Sequence, residues 1–211
     1  MAKLVGGPLG SYRGKAGGTI GSSWKGIAVV KSMPLSVANP KTVAQTAQRE
    51  KFAACIAAAR LLLSDLITTY WNPFAKRMSG INAFVKQNID CFAVGGLSVP
   101  ADFYAARGIL MGALNLNITA SASQHTIFIE FADNSGTGDA LGTDEARILL
   151  YNETKGIWHF FNSGDTGMTG ESGGLGDYYE EDDVLHCYFF FTRADYSKIS
   201  DSEYKEVVAG E

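Results

Sequence analysis

The apolar positions of this chain change their spacing as it proceeds, and the changes mark the elements. Thr19 to Trp24 and Ile27 to Met33 are short β-rich runs flanking Lys25-Gly26, where Gly26 suits a positive φ, so a β-hairpin is predicted, closed by Pro34. Asn39-Pro40 then reads as an N-cap and first helical position. From Thr42 the chain is rich in Ala, Gln, Arg and Leu, and Phe52, Ile56, Leu63 and Ile67 form one apolar stripe of a helix ending at Asn72-Pro73. A second helix is expected from Pro73 to about Ile89, burying Phe74, Met78, Ile81, Phe84 and Val85, with Gly80 as its weak point.

From about residue 92 short β-rich runs alternate with turn signals. They are Ile109–Leu114, Leu116–Ala122, Thr126–Ala132, Ala146–Tyr151, Gly156–Phe161, Val184–Thr192 and Tyr204–Val208. In the third of them Ile127, Ile129 and Phe131 share one face, as a half-buried strand requires. Such a series predicts an antiparallel β-sandwich of immunoglobulin or fibronectin type. The Gly-rich stretch 162–176 is expected to be a long loop. The fold class is therefore α+β: a module of arm, hairpin and two helices over 1–91, then a sandwich over 92–211. Residues 1–18 hold Leu4, Val5, Leu9 and Tyr12 among six glycines, too little apolar surface to order themselves, and read as an extended arm that docks elsewhere.

Charge changes this picture most. Residues 1–90 carry 12 Lys+Arg against 3 Asp+Glu, residues 91–211 carry 6 against 19, and no acidic residue precedes Glu50. The net charge of −4 hides a basic end and an acidic end, which favours a polyanion at one end or head-to-tail contact between copies. The cysteines Cys55, Cys91 and Cys187 are scattered and odd in number, and read as reduced thiols of the core rather than a disulfide framework. The N-terminus has no apolar stretch of signal-peptide type, and Phe52 to Leu63 is too short and too interrupted to span a bilayer. Synthesis in the cytoplasm is expected, with a virion or extracellular assembly after release.

The segment Gly17-Gly-Thr-Ile-Gly-Ser-Ser-Trp-Lys-Gly26, with Asn39-Pro-Lys-Thr and Gln48-Arg-Glu-Lys-Phe52, resembles an uncharacterised family of unknown function from Bacteroidota and the phages or prophages that infect them. Asp133-Asn-Ser-Gly-Thr-Gly138 and Leu150-Tyr-Asn152 are similar more loosely. The resemblance implies no activity; it implies a virion or surface-assembly context, by analogy.

Candidate chemistry is sparse. Gly170-Glu-Ser-Gly-Gly174 matches the G-x-S-x-G pattern, but a nucleophile elbow needs a strand before Ser172 and a helix after it, and the flanking residues offer neither. His125, His159 and His186 lack metal-ligand spacing, and His186-Cys187, adjacent on a strand, point to opposite faces. The acidic run Asp177 to Asp183 lacks the alternation and turn glycine of an EF-hand and reads as a solvated loop or a docking patch for a basic arm. No enzyme, cofactor or metal is expected.

The expected function is a structural assembly protein, a phage virion part (tail, neck, fibre or decoration) or filament subunit. Its arm would add to a neighbouring copy or another virion protein by strand addition, steered by opposite charge, with no membrane partner. Leu4, Val5, Leu9, Tyr12 and Trp24 would anchor the contact and Arg13, Lys15 and Lys25 would steer it. Asp177, Glu180, Glu181, Asp182 and Asp183 would receive it. Two alternatives stand beside this: a nucleic-acid-binding structural protein using the basic half, and a carbohydrate- or receptor-binding module on the sandwich.

Overall fold

The computed structural model describes residues 2–3, 12–24, 26–36, 41–123, 126–162, 170–172 and 179–210. The chain divides into two compact units, Met1–Thr42 and Val43–Glu211. The division thus precedes the first helix rather than falling near residue 92, because the helices share a core with the strands that follow them.

In the first unit the expected hairpin forms, as β3 (Thr19–Trp24) and β4 (Ile27–Ser32), with Gly26 at φ +80° in its turn. The expected arm is not simply extended. Its ends form β1 (Ala2–Lys3) and β2 (Gly14–Ala16), which pair with β4 and β3 to give a sheet of order β1-β4-β3-β2. Backbone pairing with the hairpin supplies the order that the arm's few apolar groups could not. Leu4, Val5 and Leu9 lie outside the described residues.

The second unit opens with helix α1 (Val43–Leu61), a π-helical turn Leu63–Ile67 and a last helical turn α2 (Thr68–Tyr70). Thr68 Oγ1 donates to the Leu63 carbonyl at 2.7 Å in the widened turn. The stretch Leu63–Tyr70 is bent by 71° from α1. The buried side of the two is Cys55, Ala58, Ala59, Leu62, Leu66 and Ile67, whereas Phe52 is 48% exposed and Leu63 39%. Of the expected stripe, Ile67 is fully buried and Ile56 packs against the core, while Phe52 and Leu63 face solvent; the contact face of α1 is instead completed by small side chains, which let the helix approach closely.

Helix α3 (Gly80–Asn88) begins later than expected, capped by Ser79, whose Oγ accepts from the Asn82 N–H at 3.3 Å. Phe84 and Val85 are buried and Met78 is exposed. A short hairpin follows, β5 (Phe92–Ala93) and β6 (Gly96–Leu97). Asn88, fully buried, accepts from the Tyr104 N–H at 2.9 Å and donates to its carbonyl at 3.0 Å, tying an irregular segment to α3. That segment places Phe103 among Phe84, Phe92, Trp158 and Tyr188, at ring separations of 4.9 to 6.2 Å.

The remaining strands are β7 (Leu114–Ser121), β8 (Thr126–Ala132), β9 (Glu145–Asn152), β10 (Ile157–Asn162), β11 (Gly170–Ser172), β12 (Val184–Thr192) and β13 (Glu203–Val208). Ile109–Leu114, expected as a strand, contributes only a bridge from Leu110 to Ser200 before β7 begins. Strand β11 lies in the expected loop and pairs with β8, Ser172 opposite Ile127. The strands form two antiparallel sheets, β11-β8-β7 and β10-β9-β12-β13.

The second of these sheets lies between two apolar clusters. Ile148, Leu150, Leu185, Cys187, Phe189 and Phe191 join Leu116, Ile118, Ile127 and Ile129 of the facing sheet. Leu149, Tyr188 and Phe190, alternating with them, join Cys55, Leu62, Leu66, Phe84 and Phe103. Cover on both faces explains why β9 and β12 are buried at nearly every position. Arg147, 6% exposed, donates to the Tyr70 hydroxyl at 2.9 Å and pairs with Glu145, pinning α2 to the sheet. The fold is thus mixed α and β, with antiparallel sheets.

All three cysteines are free and buried, as expected. Burial raises the thiols of Cys55 and Cys91 to about 11 and that of Cys187 to about 12. No single helix among the described residues is long and apolar enough to cross a membrane.

Candidate functional site

Two surfaces stand out among the described residues: the basic N-terminal sheet and the β10 margin of the four-stranded sheet of the body.

The N-terminal sheet has Gly21 as its one buried position among the described residues, so it holds no apolar core of its own. Gly21 is buried because Tyr12 crosses it. A Cβ there would lie 2.3 Å from the Tyr12 carbonyl oxygen and 2.7 Å from its ring. The Tyr12 hydroxyl bonds the hydroxyl of Thr19, which donates to the Ala16 carbonyl at 2.9 Å. Tyr12, expected to anchor a neighbouring copy, is thus engaged within its own sheet.

Arg13 and Lys15 are exposed, as a steering role requires, while Lys25 lies outside the described residues. Trp24 pairs in register with Ile27. The pairings Lys15 to Ile20, Ile20 to Lys31 and Ser22 to Val29 put Lys15, Ile20, Lys31 and Val29 on one face. Gly14, Ala16, Thr19, Gly21 and Val30 fall on the other. One face is therefore cationic and aliphatic, and the other is built of small residues. This unit carries six Lys+Arg and no acidic residue, while Val43–Glu211 carries 12 against 22. The charge boundary near residue 90 does not coincide with the structural one: six of the twelve cations of residues 1–90 belong to the body, although the first unit itself is free of anions.

The expected acidic receptor is only partly available. Asp177 lies outside the described residues, and Glu181 and Asp182 are exposed. Glu180 pairs with Lys155 at 3.0 Å. Asp183 is 5% exposed and accepts from Asn152 Nδ2 at 2.8 Å and the Glu180 N–H at 2.9 Å. Burial alone would raise its carboxyl, but these bonds and Lys155 hold it below its ordinary range. Its carboxylate builds the turn into β12 rather than facing a partner.

At the margin of the body a row of rings crosses the sheet. Trp158 of β10 stands opposite Tyr151 of β9, which stands opposite His186 of β12. The Trp158 and Tyr151 rings are 4.4 Å apart, Tyr151 stacks on His186 at 6.0 Å, and His186 on Tyr204 of β13 at 5.9 Å. Tyr204 donates to Glu206 at 3.1 Å, and the ring nitrogens of His186 stand within hydrogen-bond distance of two oxygens, Nδ1 2.9 Å from the Tyr204 hydroxyl and Nε2 3.1 Å from the Glu153 carboxylate. This network fixes the rings.

Beside it, a groove of about 350 Å³ follows Gly156 and then Ile157, Trp158, His159 and Phe160 of β10, with Leu61, Leu62 and Asp65, at the bend between α1 and the π-helical turn, opposite. Burial holds the His159 imidazole below its ordinary value, although Asp65 pulls the other way. Among the described residues no three His, Cys, Asp or Glu side chains are grouped to hold a metal ion. His125 lies outside the described residues, as do the residues that follow Ser172.

A family model described as "Family of unknown function (DUF6266)" matches residues 11–206. The chain belongs to this family. Comparison with the curated proteins gave no match. The DUF6266 match runs from β2 into β13, across both units, so hairpin, helices and sheets belong to one family architecture. The groove of this DUF6266 chain was missed in the sequence. Its signal is the run Ile157-Trp158-His159-Phe160-Phe161, apolar at both alternations although the strand ends up at a sheet margin.

Proposed function

We propose that this protein is a structural subunit whose copies join head to tail, the basic N-terminal unit of one meeting the acidic body of the next. The observation that carries this is the opposite net charge of the two units. A 42-residue unit with six cations, no anion and no buried apolar side chain among its described residues is covalently joined to a body with an excess of ten carboxylates. A sheet without a core gains stability from a partner surface, and opposite charge sets the polarity of such a contact. A heterologous contact of this kind closes into a ring or runs on as a filament. The resemblance to phage-borne proteins makes a virion the setting we favour.

The body fits that role as a rigid sandwich. Taking β7 to β13 as seven successive strands, the first, second and fifth face the fourth, third, sixth and seventh. This differs from the constant-type immunoglobulin arrangement only in the fourth strand, which pairs in the other sheet, and supports reading the body as a sandwich of that broad type.

The test is negative-stain electron microscopy and sedimentation of the full chain beside Lys15→Glu/Lys31→Glu, at low and high salt. Ordered assemblies at low salt, lost in the variant and weakened by salt, are expected. A monomer under every condition would overturn the reading. Salt-dependent binding of the unassembled chain to duplex DNA, lost in the same variant, would transfer the basic face to nucleic acid.

A further inference from the structure

We propose that the outer edge of β10 accepts an added strand, and that the strand is the Arg13–Ala16 segment of a second copy, with Lys15 meeting Asp65. This rests on the self-assembly reading above and names its contact.

Three features point to an added strand. Strand β10 is terminal in the order β10-β9-β12-β13, with β9 on its inner side over six registered pairs. An edge strand turns backbone N–H and C=O groups outward at alternate residues, and those groups template another extended chain. The groove is lined by Gly156 and the first four residues of β10 in succession, so it follows the strand's edge rather than one face of the sheet. Its far wall, Leu61, Leu62 and Asp65, leaves a slot between strand and helix.

The third feature, among the described residues, is a strand sequence without the usual protection. Natural edges are blunted by Lys, Pro, bulges or inward charges. Strand β10 reads Ile-Trp-His-Phe-Phe-Asn and pairs with β9 without a register break, and Ile157 is 38% exposed. A flat, aromatic, unbroken edge of this kind is a hazard for a protein at high concentration unless something is meant to cover it.

The occupant follows from size and charge. The slot's walls are bulky and apolar, with Asp65 as the carboxylate lining it, so the matching strand has small residues around a cation. Strand β2, Gly14-Lys15-Ala16, is such a strand: it is fully exposed, is itself terminal in the order β1-β4-β3-β2, and comes from a unit with no acidic residue. Joining the two edges would continue one sheet into the next across copies. Each copy would offer β2 and accept at β10, which is the head-to-tail geometry.

The experiment uses the full chain in three forms: Asp65→Lys, Lys15→Asp and the double exchange. Both positions are exposed, and circular dichroism checks that each form folds. Each single change should weaken association on the order of tenfold at low salt, and the exchange should restore it. Separately, Lys15→Cys with Ile157→Cys should give a ladder of disulfide-linked copies under oxidising conditions, and neither change alone should. Assemblies that persist through the single changes, with no ladder, would overturn this contact and leave head-to-tail assembly standing by another surface. Weakening by Asp65→Lys that Lys15→Asp does not rescue would give the slot to a different partner and also overturn it. No assembly of the unaltered chain would remove both readings.

Discussion

Gly80 opens α3 against Asn72, accepting no compromise in space. Its N–H donates to Asn72 Oδ1 at 2.7 Å, and a Cβ would lie 2.4 Å from that oxygen and 2.8 Å from the Asn72 nitrogen. Gly80→Ala should therefore cost about 1–3 kcal/mol in urea unfolding, although Ala is the better helix former. The same change at Gly156, where the surroundings are open but φ is +67°, should cost less, through backbone strain alone. Asp183 makes a different kind of prediction. Its carboxyl is held below its ordinary 3.8 in the folded chain, so the carboxylate stabilises the fold above that pH and the contribution is lost as pH falls through the folded value. Asp183→Asn should flatten the acid side of a plot of unfolding midpoint against pH, while leaving a smaller, pH-independent loss near neutrality.

Among the elements, α1 best shows what a linear pattern hides. Ala59 is fully buried and Phe52 is 48% exposed, so Ala59→Leu should destabilise the body by about 1–3 kcal/mol and Phe52→Ala by less than about 1 kcal/mol, measured by denaturant unfolding. A stripe drawn through large apolar residues would order these two changes the other way. Helix existence was legible from Ala, Gln and Leu content, and β8 and β12 were legible to the residue, because alternation and aromatic density leave strands little choice. What was not legible depended on partners distant in sequence. Strands β1, β2 and β11 are held by backbone pairing, which side-chain pattern does not record. The groove joins residues 61–65 to 156–160, and only folding brings them together. The cationic character of Arg13 and Lys15 was readable directly, whereas the inward commitments of Tyr12 and Asp183 were not.

At the scale of the whole molecule, the buried apolar core among the described residues draws its members from Cys55 onward and none from the first unit. Residues 43–211 should accordingly melt within roughly 3 °C of the full chain, the shift that about 1 kcal/mol gives a protein of this size. A larger fall would mean that the N-terminal sheet supports the body in solution. The same truncation removes all six cations of the first unit, so it should also abolish salt-sensitive association while leaving circular dichroism of the body intact.

The layering has one more consequence, for how opening of the fold can be followed. Cys55 and Cys91 lie in the cluster between helices and sheet, and Cys187 in the cluster between the two sheets. Each is buried, and burial keeps its thiol protonated well above neutrality, so none reacts until its surroundings part. The chain thus carries a native chemical clock in each of its two interiors. Timed alkylation read by peptide mass would show whether the helical cover lifts from a sheet that stays closed, or whether both interiors give way together.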